Sequence, residues 1–149
     1  MQITQVHRSE QEKVFITVEN NEGNSLEPGE IVQFSATTTA ADQGRLVVVT
    51  NQASTTVSGS GAKLAGAVVD SIATGAVGRI QVYGPVEVRS NTTIAANKCV
   101  VAGTATAPGS VQLIVAHTDC MTEYAESIVG WTLDASPAAT TSTIFISTL

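Results

Sequence analysis

The sequence predicts an all-β protein: a small β-barrel or sandwich built from two tandem copies of one β unit. Three observations predict it. Hydrophobic residues make up 43% of the chain but aromatics only 4%, so the apolar content is Val, Ile, Leu and Ala set among Thr, Ser and Gly, a composition of strands and turns. The apolar runs are short and separated by turn residues, about ten of them at roughly 8–20 residue spacing, as in barrels and sandwiches. Finally, the pattern recurs. Ala65-Gly66-Ala67-Val68-Val69-Asp70 followed by Ile80-x-Val82 returns 64 positions on as Val129-Gly130-Trp131-Thr132-Leu133-Asp134 followed by Ile144-x-Ile146. Val18, Glu19, Leu26 and Val32 return at an offset of 68 as Val86, Glu87, Ile94 and Val100. A repeat of this period governs the reading of the whole fold. It divides the chain into an arm, residues 1–12, a first unit, 13–83, and a second unit, 84–149, the two packing as one compact domain.

Each element has its own warrant. Residues 1–12 are polar without a period of two and read as a free arm. Val14 to Val18 is a run of β-formers. Asn20 to Asn24 and Leu26-Glu27-Pro28-Gly29 are turns, because Asn and Gly tolerate positive φ and Pro presets a turn. Glu30 to Phe34 is the next strand. Arg45 to Thr50 centres on Leu46-Val47-Val48-Val49, a continuous apolar run that fits burial on both faces. Asn51 to Lys63 is low in complexity and reads as a loop. Leu64 to Asp70 and Arg79 to Tyr83 are strands around a turn at Gly75 and Gly78. The second unit runs through Val86–Arg89, Lys98–Ala102, Val111–Val115, Ile128–Asp134 and Thr143–Ser147. Thr118 to Ser127 is the best helix candidate. Here the two copies diverge most, Asn51–Lys63 against Ala116–Ser127, and a divergent loop on a repeated scaffold is a place for contacts.

The bulk numbers exclude several functions. Charged residues are 13% of the chain, against about 25% in ordinary soluble proteins. A surface so poor in charge fits one covered by a partner or by further copies. The net charge is −6 and the 7 basic residues are scattered, so no nucleic-acid footprint exists. No apolar run approaches the roughly 20 residues that span a bilayer, and the mixed-charge start is no signal peptide. Two cysteines cannot build a disulfide framework, which fits synthesis in a cytosol.

No constellation points to chemistry. His117 and Cys120 are three apart, but a closed zinc site needs four ligands and His7 is remote. Cys99 aligns with Ile31 and reads as a small buried hydrophobe. Asp70 and Asp134 occupy one place in both copies, after a strand and before a turn, where an Asp bonds turn backbone. Catalytic carboxylates need differing environments. There is no Gly-x-Ser-x-Gly elbow, and Gly59-Ser60-Gly61-Ala62-Lys63 lacks the spacing of a phosphate loop. Trp131, the single Trp, lies in a strand and fits core or interface better than a sugar platform. The sequence therefore predicts no enzyme, no cofactor and no metal site.

Two stretches carry a family resemblance. Val18-x-Asn20-x-x-Gly23-x-x-Leu26-x-x-Gly29-x-x-Val32 is similar to a sequence common in tailed-bacteriophage structural proteins. Ala65 to Asp70, a Gly-containing turn and Arg79-Ile80-Gln81-Val82-Tyr83-Gly84 resemble capsid decoration, or cement, proteins. The resemblance spans residues 13–90 and extends further through the repeat. It implies a β-tulip barrel on the outside of an expanded phage head, made in the host cytoplasm, with the major capsid protein as partner. It also implies a homo-oligomer, in that family a trimer, that clamps neighbouring capsid subunits. The chain departs from a simple member by carrying the unit twice. Candidate capsid contacts are Ile3, Thr4, Gln5 and Val6 in the arm, since free arms can add a strand to a partner's open edge. Candidate loop contacts are Cys120, Met121, Glu123 and Tyr124. The competing expectation is a carbohydrate-binding β domain of a phage or cell-surface appendage, which requires a solvent-facing aromatic platform.

Overall fold

The computed structural model describes residues 12–34, 47–50, 64–102, 111–113, 128–137 and 140–148. All regular structure among them is β. The strands are β1 (Val14–Asn20), β2 (Ile31–Phe34), β3 (Val47–Thr50), β4 (Leu64–Val68), β5 (Val77–Arg89), β6 (Cys99–Ala102), β7 (Val111–Leu113), β8 (Ile128–Thr132) and β9 (Thr141–Ser147). They form one sheet in the order β1-β3-β2-β4-β5-β9-β8-β6-β7, and β1 also pairs with β5. The first five strands thereby close on themselves, β1 running parallel to β3 and every other pairing being antiparallel. Closure removes the open edges of a small sheet. In the second half, β5, β9, β8, β6 and β7 follow the same order, but among the described residues β7 pairs with β6 alone.

One difference from the sequence reading is β5. The expected strands Arg79–Tyr83 and Val86–Arg89 are one strand of 13 residues. Gly84-Pro85 bends it without ending it. Gly84 has φ 99, and a Cβ there would run into the carbonyl oxygen of Glu12, so only glycine fits. The Gln81 side chain is buried beneath the bend and donates to the carbonyls of Tyr83 at 3.1 Å and Pro85 at 2.9 Å. The expected boundary between residues 83 and 84 therefore falls inside a continuous strand. At its middle, Tyr83 stands opposite Val14 of β1 on one side and Ser147 of β9 on the other.

The pairing register recurs along the chain. Ile31 faces Ala67, as Cys99 faces Trp131; Ala67 faces Gln81, as Trp131 faces Phe145. Both β2–β4 and β6–β8 slip register at the same point, after Val32 and after Val100. Leu26 bridges Ile72, and Ile94 bridges Ser136. Gly29, with φ 81, donates to the Val68 carbonyl, and Asn97, with φ 58, donates to that of Thr132. Gly66 and Gly130 share a role too. A Cβ on Gly66 would stand 2.5 Å from the Gln81 carbonyl oxygen, and one on Gly130 would meet the carbonyl oxygen of Phe145. One sequence match shifts. Val18 faces Gly78, and the residue facing the corresponding Ser142 is Val88, not Val86.

Two apolar clusters fill the sheet. Inside the closed half lie Val18, Leu26, Val32, Val68, Ile80 and Val82. In the second half, Val88, Ile94, Val100, Ile144 and Ile146 form a core that also takes in Ile31, Leu64 and Ala67 from the first. Those three residues turn outward from the first barrel and enter the core of the second half. Burying a Leu or Ile side chain is worth roughly 1.5–3 kcal/mol. Ile31 and Leu64 alone therefore bring about 3–6 kcal/mol, comparable with a whole domain's stability of about 5–15 kcal/mol. The Arg89–Glu30 ion pair at 2.9 Å and the Arg89 N–H bond to the Gly29 carbonyl lie across the same junction.

Candidate functional site

The feature that singles itself out is the outer face of the sheet along β1, β5, β9 and β8. Side chains alternate across a strand. On β5, Ile80 and Val82 turn into the core, so Val77, Arg79, Gln81 and Tyr83 turn outward. On β9, Ile144 and Ile146 are core and Phe145 is outside. Directly paired residues share a face, which adds Phe15 opposite Gln81 and Trp131 opposite Phe145. Leu133 joins them just past β8, its N–H bonded to the Thr143 carbonyl. Trp131 is 46% exposed, Leu133 47%, Phe15 38%, Tyr83 37% and Val77 63%.

The rings are organised. Tyr83 and Phe145 pack edge to face with centroids 5.0 Å apart, an arrangement favoured by the ring quadrupoles. The Arg79 guanidinium carbon lies 5.5 Å from the Phe15 ring centroid, within cation–π range. The chain has six Phe, Tyr and Trp residues in all, and four of them are on this face. Trp131 is thus surface-exposed, which corrects the core half of the expectation and leaves the interface half.

Charged groups stand at either end. Arg79 pairs with Asp70 at 3.5 Å, both well exposed. Asp134, next to Leu133, accepts from the Thr143 N–H at 2.9 Å and the Ser142 hydroxyl at 3.2 Å. Burial pushes its carboxyl up, but the hydrogen bonds from Thr143 and Ser142 outweigh that and hold it below the usual carboxylate value. The role is structural but differs from the expected bond to turn backbone: Asp134 ties the end of β8 to Ser142 and Thr143 of β9, whereas Asp70 at the matching place pairs with the Arg79 side chain. Cys99 is buried in β6 opposite Trp131. Among the described residues no three His, Cys, Asp or Glu side chains are grouped to hold a metal.

The sequence-based contact candidates Ile3, Thr4, Gln5 and Val6, and Cys120, Met121, Glu123 and Tyr124, lie outside the described residues, as does the helix candidate Thr118–Ser127. What the sequence reading missed is the outward-facing set Phe15, Val77, Tyr83 and Leu133, all exposed, with the half-buried Phe145. Its signal was present: period-two alternation around Ile80-x-Val82 and Ile144-x-Ile146 puts these residues on the face opposite the core.

No family model matches the chain, and no curated protein matches it. Among solved structures, it is similar to the N base of head fiber gp8.5 in bacteriophage phi29, with a TM-score of 0.59 and 12% identity over 91% of this chain and 95% of that one. At that identity the likeness is one of fold, and it holds over nearly the full length of both chains.

Proposed function

We propose that this chain is a structural protein of a bacteriophage virion, carried on the outside of the head, that stabilises the shell by clamping neighbouring subunits of the major capsid protein. The observation that carries the reading is the fold shared, at 91% and 95% coverage, with the base of a phage head fiber. The exposed aromatic face in a chain only 13% charged supports a protein that works through protein–protein contacts, since aromatics are enriched and charges depleted at interface cores. The mechanism is binding without chemistry. A protein that binds only the assembled shell stabilises it by mass action, and many weak joints around a shell add up through multivalency. In this reading the chain carries one unit twice, 13–83 and 84–149, works as a homo-oligomer, and uses the arm, residues 1–12, for shell contacts. The test is co-sedimentation with empty heads of the parent phage. The full chain is expected to pellet with heads, and the chain lacking residues 2–12 to pellet several-fold less with an unchanged melting point. A full chain that stays in the supernatant at micromolar concentration overturns the reading.

A second reading, glycan binding, draws on the solvent-facing Trp131. Trp131 is the single Trp, so quenching or a shift of intrinsic fluorescence on titrating host-envelope oligosaccharides reports on it directly. A flat titration removes this reading.

A further inference from the structure

We infer that the outer sheet face is a contact between two copies of this chain, packed face to face about a two-fold axis near Tyr83. The inference rests on the reading above only in that the protein works through protein–protein contacts.

The first argument is the repeated register. In the first half, one row across four strands reads Phe15, Gln81, Ala67, Ile31. The matching row in the second half reads Pro85, Phe145, Trp131, Cys99. Ala67 and Ile31 are covered, because the apolar core of the second half sits on them. At the matching place the second half carries Trp131, 46% exposed. Within one chain, then, this face already takes a protein apolar surface as its occupant. At the matching place, where no described residue covers the row, the second half presents an aromatic ring instead of alanine.

The second argument fixes the partner and the symmetry. The exposed large apolar side chains among the described residues are Val14, Phe15, Val77, Tyr83, Trp131 and Leu133. All six are on this face: Val14 stands opposite Tyr83, and the rest are placed above. A second copy has no other described apolar patch to offer, so like meets like. That is an isologous contact, in which each residue i meeting j is matched by j meeting i. Simply repeating the internal packing head to tail is blocked, because the first half is already closed by β1 and β3.

Charge supplies the third. Arg79 stands by Phe15 at the β1 end, and Asp134 by Leu133 at the β8 end. A two-fold through the Tyr83–Phe145 pair brings Arg79 of each copy to Asp134 of the other. Asp70 engages the guanidinium only at 3.5 Å on an exposed surface. Opposite charges at the rim set the register of contact.

The experiment is sedimentation equilibrium on the full chain and its variants, with thermal melting as the check on folding. The wild type is expected at twice 15.3 kDa. Trp131→Glu is expected to weaken association by about thirtyfold or more, the scale of a lost aromatic anchor. Arg79→Glu and Asp134→Lys are each expected to weaken it, and the double charge swap to recover it. Should Asp134→Lys lower the melting point, Leu133→Lys probes the same end. A single 15.3 kDa species at all concentrations, a trimer, or association unmoved by Trp131→Glu overturns the inference. So does a charge swap that does not recover. Head co-sedimentation of the Trp131→Glu variant separates the two proposals. A monomer that still binds heads upholds both. A variant that stays dimeric but loses head binding overturns the two-fold contact and leaves the virion function standing.

Discussion

Gly66→Ala is a one-methyl change whose cost can be read from the ladder around it. The added Cβ would stand 2.5 Å from the Gln81 carbonyl oxygen, 3.2 Å from its carbon and 3.2 Å from Ile80 Cδ1. The φ of Gly66 is 159°, close to extended, so the cost is one of space. Backbone at Gln81 cannot retreat easily, because it pairs with Ala67 on one side and Phe15 on the other. Overpacking of this kind costs about 1–3 kcal/mol and sometimes more, against about 0.4–1 kcal/mol regained by stiffening the unfolded chain. With immovable backbone as the obstacle the upper part of the range applies, and a net loss of about 2–3 kcal/mol is expected. At roughly 2–4 °C per kcal/mol for a domain of this size, the melting midpoint should drop about 4–12 °C. The assay is urea and thermal unfolding followed by far-UV circular dichroism. Gly130→Ala, whose Cβ would meet the Phe145 carbonyl oxygen, should cost at least as much. Gly23→Ala is the control: nothing lies within 4 Å of its Cβ, and stability should hold or rise by up to about 1 kcal/mol. A Gly66→Ala protein within about 0.5 kcal/mol of wild type would refute the close-approach argument.

Three further outcomes are expected. Asn20→Ala should cost about 2–3 kcal/mol in urea unfolding, because the buried amide donates to the carbonyls of Ile72 at 2.8 Å and Asn24 at 3.0 Å and accepts from the Glu22 N–H at 2.7 Å. Cys99→Val should cost about 1 kcal/mol or less in the same assay and leave the fold indifferent to chelator, since the thiol side chain is a buried filler at the place of Ile31. For Asp134, the folded carboxyl titrates below its unfolded value near 3.9. Its contribution is therefore present above that pH and lost as pH falls through the folded pKa. Melting curves of wild type and Asp134→Asn should differ by a constant gap above about pH 5 and converge below about pH 4.

Much of the fold was legible because short β-branched runs and their turn residues say strand directly. Gly66 and Gly130 gave the register away, since both stand at the same close approach. Two things escaped for physical reasons. Gly84-Pro85 looks like a break, yet the buried Gln81 amide satisfies the carbonyls of the bend and lets β5 run on. Val18 matches Val86 by sequence but Val88 by pairing. The turn from Asn20 to Leu26 is two residues longer than that from Ser90 to Ile94, and a shift of two keeps every side chain on the same face, so alternation cannot detect it. As for the candidate site, a Trp in a strand says only that a large ring needs cover. Whether that cover comes from within the chain depends on which half of the sheet it falls in. Ala67 and Trp131 occupy matching positions, one buried and one exposed.

Tyr83 lies between Val14 and Ser147, so the first and last strands flank a single residue of β5. Two strand spacings, about 10 Å, separate the two positions. A cysteine at position 14 and one at position 147 would therefore report on the same stretch of β5 from its two sides. The same geometry governs labelling. A label placed at either position stands beside the aromatic face, whereas one placed at Gly23 sits in an exposed turn close to the pairing of Leu26 with Ile72. Comparing the two attachment points separates crowding at Tyr83 from any general effect of carrying a tag.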